Sequence, residues 1–200
     1  MNNFFAHLHT VRTHRKWVRH YCFQAGLYWQ GITHDLSKYH PIEFFESVKY
    51  YQGNRSPIDA RKEQMGYSNA WFHHRKNKHH MERWTDNYDS GTSCVPMPYK
   101  YVTELICDWL GAGKAYMGAA FSYERELDFV KKKLEKGIKM HPRTAAYVYT
   151  VFEALTRHPE VFVFTLLKEY YNAAWDSFDE NKYPFVYFGS SKDYFDELIA

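Results

Sequence analysis

Four prolines set the grammar of this chain. Pro41, Pro98, Pro142 and Pro159 each stand just ahead of apolar residues at helical spacing. A proline ring fixes φ and removes a backbone donor, so it is tolerated in the first turn of a helix and breaks one further in. After Pro41 the apolar positions are Ile42, Phe44, Phe45 and Val48, with Gly53 as a stop; after Pro98 they are Tyr101, Leu105 and Ala112. Further helices are expected over Pro142–Arg157 and from Pro159 to about Phe178. Upstream, Phe4, Val11, Val18 and Tyr21 make one stripe and predict an amphipathic helix over Asn3–Phe23. A second helix is expected over Gln24–Lys38, a short charged one near Asp59–Gln64, and another over Tyr123–Gly137. Thr85–Pro98 reads as a loop, Tyr183–Phe188 as a short extended segment and Ser190–Asp193 as a helix start. No segment alternates over a useful strand length, and the expected fold class is all-α.

Composition narrows the setting. Two hundred residues suit one domain with a real core. The apolar fraction of 45% and the charged fraction of 24% are those of a globular protein. A net charge of +3 is too small to argue for nucleic acid. Cys22, Cys94 and Cys107 form no CxxC pair, which disfavours a zinc ribbon or a disulfide scaffold and predicts reduced thiols. No signal peptide is read at the start, and the most apolar run, Val161–Leu167, ends at Lys168 and Glu169, far short of a membrane span. The expectation is a cytoplasmic protein with no membrane partner.

The chain is rich in histidine, with 12 residues, and their placement carries more than their number. On the first helix His7 and His14 fall on the apolar side, while His9 and His20 point away. His7 reads as a core histidine bonded to a carbonyl, and His14 as a metal ligand. His34-Asp35 sets an imidazole beside a carboxylate, a pairing that divalent Mn, Fe, Co, Ni or Zn accepts. The segment Tyr67–Trp84 carries His73, His74, His79 and His80. If its helix is continuous, His73 and His80 share a face with Asn77 between them. Asp108 lies in the apolar stripe of the helix after Pro98, where a carboxylate is costly unless it is paired or bound to metal. Glu104, one turn earlier, can join it or stay solvated.

The order of these candidates resembles the HD-domain superfamily of metal-dependent phosphohydrolases. His34-Asp35-Leu36-Ser37-Lys38 is similar to that superfamily's HD-x-[GS]-K signature. His79-His80-Met81-Glu82-Arg83-Trp84 is similar to the HHE-type segment of the HD-GYP phosphodiesterases. The GYP triplet itself is missing, since Thr85-Asp86-Asn87 follows Trp84. The chain also resembles an uncharacterised family of small bacterial and phage proteins with the same HDLSK and KNKHH segments. The resemblance covers roughly Asn3–Gly118. It implies a helical metal-binding core over residues 1–120 and a C-terminal helical extension, 121–200, packed on the same domain.

What the resemblance implies for chemistry is specific. His14, His34, Asp35 and Asp108 would bind a first metal. His73, His79 and His80 would belong to a second metal or to the substrate pocket. Lys38 would face a substrate phosphate, and Glu82 or a cluster histidine would serve as acid or base. The cofactor is one or two divalent transition-metal ions, which lower the pKa of a bound water and offset charge on phosphoryl oxygens. The expected activity is hydrolysis of a phosphomonoester or phosphodiester, with a nucleotide or similar small phosphorylated molecule as substrate and a homodimer as one assembly. Two other readings are a diiron oxygenase of the same fold and a non-catalytic, metal-stabilised nucleotide-binding protein.

Overall fold

The computed structural model describes residues 3–89 and 91–171, and the protein is all-α with one small β-hairpin. The expected segments at Tyr183–Phe188 and Ser190–Asp193 lie outside the described residues. The long helices are α1 (Asn3–Gln24), α6 (Tyr99–Met117), α7 (Tyr123–Glu135) and α8 (Pro142–Arg157). The shorter ones are α2 (Tyr28–Thr33), α3 (Pro41–Tyr50), α4 (Pro57–Met65), α5 (Asn69–His74) and α9 (Glu160–Leu166). Pro41, Pro57 and Pro142 occupy the first turns of α3, α4 and α8. Pro98 and Pro159 stand one place earlier, as the caps of α6 and α9.

α1 and α6 form the central pair. They meet where Gly111 leaves no room for a side chain: a Cβ there would lie 2.5 Å from Val18 Cγ2 and 3.3 Å from the His14 carbonyl oxygen. That close approach sets His14 against Asp108, one turn before Gly111. α7, α8 and α9 cover the other side of α6. Their Val130, Phe152 and Phe164 join one apolar cluster with Val18 and Tyr21 of α1 and Leu105 of α6, and the Tyr21 and Phe164 rings stack at 5.4 Å. The described part of the C-terminal extension therefore shares the core of the first 120 residues.

Three expected elements differ. The helix expected over Gln24–Lys38 is broken into α2 and a 3₁₀ turn, Leu36–Tyr39, because Asp35 adopts a left-handed backbone (φ 52°, ψ 31°). The helix expected across Tyr67–Trp84 is only six residues long: α5 stops at His74, and Arg75–His80 runs through successive turns. Thr85–Pro98 is not wholly loop, because Thr85–Tyr88 (β1) and Gly91–Cys94 (β2) pair antiparallel with Thr85 opposite Cys94. No helix among the described residues is long and apolar enough to cross a membrane.

Candidate metal centre

The turn after α2 is built to present His34 and Asp35 inward. A helix ends with carbonyls that lack partners. Here Arg15, the residue after His14, supplies them: its Nε donates to His34 O at 2.8 Å and its Nη2 to Ile32 O at 3.0 Å. Asp35 then takes the left-handed conformation, which Asp tolerates better than most residues because its short side chain bonds locally. The reversal sends both the His34 and Asp35 side chains into the interior, where neither retains any exposure. It also places Lys38 one 3₁₀ turn on, with its ammonium donating to Asp35 Oδ2.

Two donor groups meet at Asp35. The first is His14, His34, Asp35 and Asp108. His14 Nε2 lies 3.2 Å from Asp35 Oδ2 and 3.2 Å from Asp108 Oδ1, and His34 Nε2 lies 3.3 and 3.2 Å from the same two oxygens. The two ring nitrogens are 3.3 Å apart. With both ring nitrogens within 3.3 Å of both carboxylate oxygens, the four donors converge closely enough to share one divalent ion. The donors therefore fit a metal ion. The second group is Asp35, His74, His79 and His80. Asp35 Oδ1 faces His74 Nε2 at 3.5 Å and His79 Nε2 at 3.4 Å. The Nε2 atoms of His79 and His80 are buried without a hydrogen-bond partner, a cost that a cation at this position would relieve. One carboxylate thus serves both groups, one oxygen each.

Behind the donors stand carboxylates that orient them. Glu104 accepts from His34 Nδ1 at 2.9 Å and faces His79 Nδ1 at 3.2 Å, so it aims one imidazole in each group. Glu43 on α3 accepts from His74 Nδ1 at 2.9 Å. Asn77, in the turns after α5, donates to Ser37 Oγ at 3.1 Å and so ties the KNKHH segment to HDLSK.

The charges are strongly coupled. Burial opposes ionisation of Asp35, but His34, Lys38 and His74 outweigh it and hold the carboxyl well below its ordinary range. Asp108 is likewise held low against burial by hydrogen bonds from His14 and His34. Burial works against a proton on His34, yet Asp35, Asp108 and Glu104 raise its pKa well above the usual value. His79 is pushed up to about 9: burial and His34 oppose the proton, and Asp35 and Glu104 prevail. His80 goes the other way, lowered by burial and by His79 and His74. Lys38 is raised to about 12, its burial overcome by Asp35 and Asp108.

Of the residues expected from sequence, His14, His34, Asp35, His79, His80 and Asp108 converge. His73 does not. Its Nδ1 donates to Glu43 at 2.5 Å and its ring stacks on His40 at 4.3 Å, while His74 takes the position in the centre. The resemblance places His73 in the second group; here it is the neighbouring His74, the last residue of α5, that turns toward Asp35. Glu82 is exposed in the 3₁₀ turn Met81–Trp84 and lines neither cavity beside the centre. His7, expected to bond a carbonyl, is buried with Nδ1 unpartnered. Arg15, Glu43 and His74 went unassigned. The polar run Arg75–Lys78, with no apolar residue to hold a helix face, was the available signal for His74.

Two cavities flank the centre. The larger, about 480 Å³, is lined by Trp29, Lys78, Lys100 and Tyr101 and meets His34, His79 and Glu104. The smaller, about 170 Å³, meets His14, Lys38, His74, His80 and Asp108.

Comparison with known proteins places the chain in one family. Residues 3–154 match the model described as Family of unknown function (DUF5662), and the chain belongs to that family. No curated protein and no solved structure matches it.

Proposed function

We propose that this member of DUF5662 is a metal-dependent phosphohydrolase acting on a nucleotide or a similar small phosphorylated molecule. The observation that carries the reading is Asp35, whose two oxygens join two donor groups while the Lys38 ammonium rests on the same carboxylate. His14, His34, Asp35 and Asp108 would hold one divalent transition metal (Mn, Fe, Co, Ni or Zn), and Asp35, His74, His79 and His80 a second. Such an ion supplies an acidified water and a positive charge for phosphoryl oxygens. Lys38 lines the smaller cavity and brings a second positive charge to the same phosphate. Glu104 and Glu43 keep the imidazoles in the tautomer that leaves Nε2 free to bind. Burial of the donors excludes bulk water and strengthens each of these interactions.

The imidazole-rich second group also suits iron, which supports a second reading as a diiron oxygenase. Metal identity separates the two. The deciding experiment is plasma mass spectrometry of the purified protein beside Asp35→Ala and Lys38→Ala, with phosphate release measured on a panel of esters. One or two equivalents of metal are expected, lost in Asp35→Ala. Lys38→Ala should retain metal and lose turnover on the order of a hundredfold. Iron together with oxygen consumption would transfer the assignment to the oxygenase. No metal in any sample, even after addition of Mn, Co or Ni, would overturn both.

A further inference from the structure

The two cavities do not meet the centre alike. The larger one is lined by Asp35 as well as His34 and His79, but there the His34 and Asp35 side chains have no exposure and Glu104 faces the Nδ1 edges of both imidazoles. The smaller one meets it where donors keep some access: the His14 and Asp108 side chains are 7% and 11% exposed, against none for His34 and Asp35. Lys38 also opens on this side. The smaller cavity is the approach to the reacting end.

The far end of that cavity is marked by His7. It precedes His14 by two helical turns on the same face of α1, about 10 Å along the axis. His7 is 6% exposed, packs against the rings of Phe44 and Tyr51 at 5.3 and 5.5 Å, and lines the cavity. Its Nδ1 is buried with no protein partner. Burial, and then the Lys38 ammonium, lower its pKa to about 4, so the ring is neutral and can donate or accept. Ser47, Ser56 and Tyr116 bring hydroxyls to the same walls. A volume near 170 Å³ is well under the roughly 300–1,000 Å³ of sites that enclose drug-sized ligands.

We infer that the smaller cavity is the substrate chamber and that His7 determines its specificity, bonding a hydroxyl on the body of a polyol-sized phosphomonoester and leaving no room for a nucleoside. This inference rests on the phosphohydrolase reading and narrows its substrate class, setting the nucleotide aside in favour of a smaller phosphorylated molecule. The phosphoryl end sits by Lys38, His14 and Asp108, and the hydroxylated end reaches His7.

The test is titration calorimetry on manganese-loaded protein with inorganic phosphate and with the phosphonate isosteres of glycerol phosphate and adenosine monophosphate. The glycerol isostere should bind about tenfold tighter than inorganic phosphate or better, and the adenosine isostere no tighter than phosphate. His7→Ala should keep its metal and its affinity for phosphate while the advantage of the glycerol isostere disappears. His7→Gln, which retains a donor and an acceptor, should restore part of that advantage and guards against a folding defect in the alanine variant. A tighter adenosine isostere, or an undiminished glycerol preference in both variants, would overturn the inference alone. Failure of inorganic phosphate to bind the loaded wild type would remove the phosphohydrolase reading and the chamber with it.

Discussion

Asp35 combines three features that rarely coincide in one residue: a left-handed backbone, a fully buried carboxylate and a lysine on one oxygen. Its neighbours store protons that a metal must displace. His34 and His79 are held protonated by the surrounding carboxylates, yet a ligating imidazole must be neutral. Metal binding should therefore release protons, and apparent affinity should rise as the pH climbs toward about 9, the value of His79. Calorimetry in buffers of different ionisation enthalpy measures this directly, and an affinity independent of pH would contradict the assigned charges. At this scale much of the centre was legible: His34-Asp35 from its motif, and His14 and Asp108 from polar residues on apolar stripes. What could not be read was which of two adjacent histidines, His73 or His74, turns inward. One residue of helix decides that, and the carboxylate of Glu43, thirty positions away, receives both.

The elements hold these side chains by a few contacts that sequence periodicity does not report. α3 braces α5 through two acids: Glu43 takes the histidines, and Glu46 accepts from Ser68 Oγ at 2.6 Å and from the Ala70 amide at 2.9 Å at the start of α5. The long helices were readable because stripes and first-turn prolines depend on local sequence. The break at Asp35 was not, because it is stabilised by a partner distant in sequence, Arg15 on the His34 carbonyl; the hairpin pairs residues at most nine apart but lacks the apolar alternation that marks a strand. Gly111 is the sharpest example. In an exposed helix Gly→Ala gains about 1 kcal/mol of propensity. Here the added methyl would strike the stiff Val18 side chain and approach its backbone nitrogen at 3.1 Å. Overpacking of this kind costs about 1–3 kcal/mol, so Gly111→Ala should destabilise the protein in a denaturant melt. It should also weaken metal binding, because the same contact sets the His14–Asp108 spacing. A more stable variant with unchanged affinity would show that α1 and α6 can part without disturbing the centre.

Across the whole molecule, α7–α9 complete a core that α1 and α6 cannot close alone, and one of their residues makes stability depend on pH. Glu126, on α7, lies against Gly113 of α6, and burial raises its pKa from 4.5 to about 7. A carboxyl with a raised folded pKa binds its proton more tightly when folded. Its contribution is full at low pH, falls as pH rises between the ordinary and the raised value, and stays low above about 7. Glu126→Gln should therefore gain melting temperature over wild type at about pH 8 and little at about pH 5. Equal differences at the two pH values would mean the carboxyl is already solvated. The donors themselves are scattered in sequence from His14 to Asp108. During synthesis, a ribosome must deliver every residue from His14 to Asp108 before the first group is complete, so a captured ion would register that assembly of this stretch has finished.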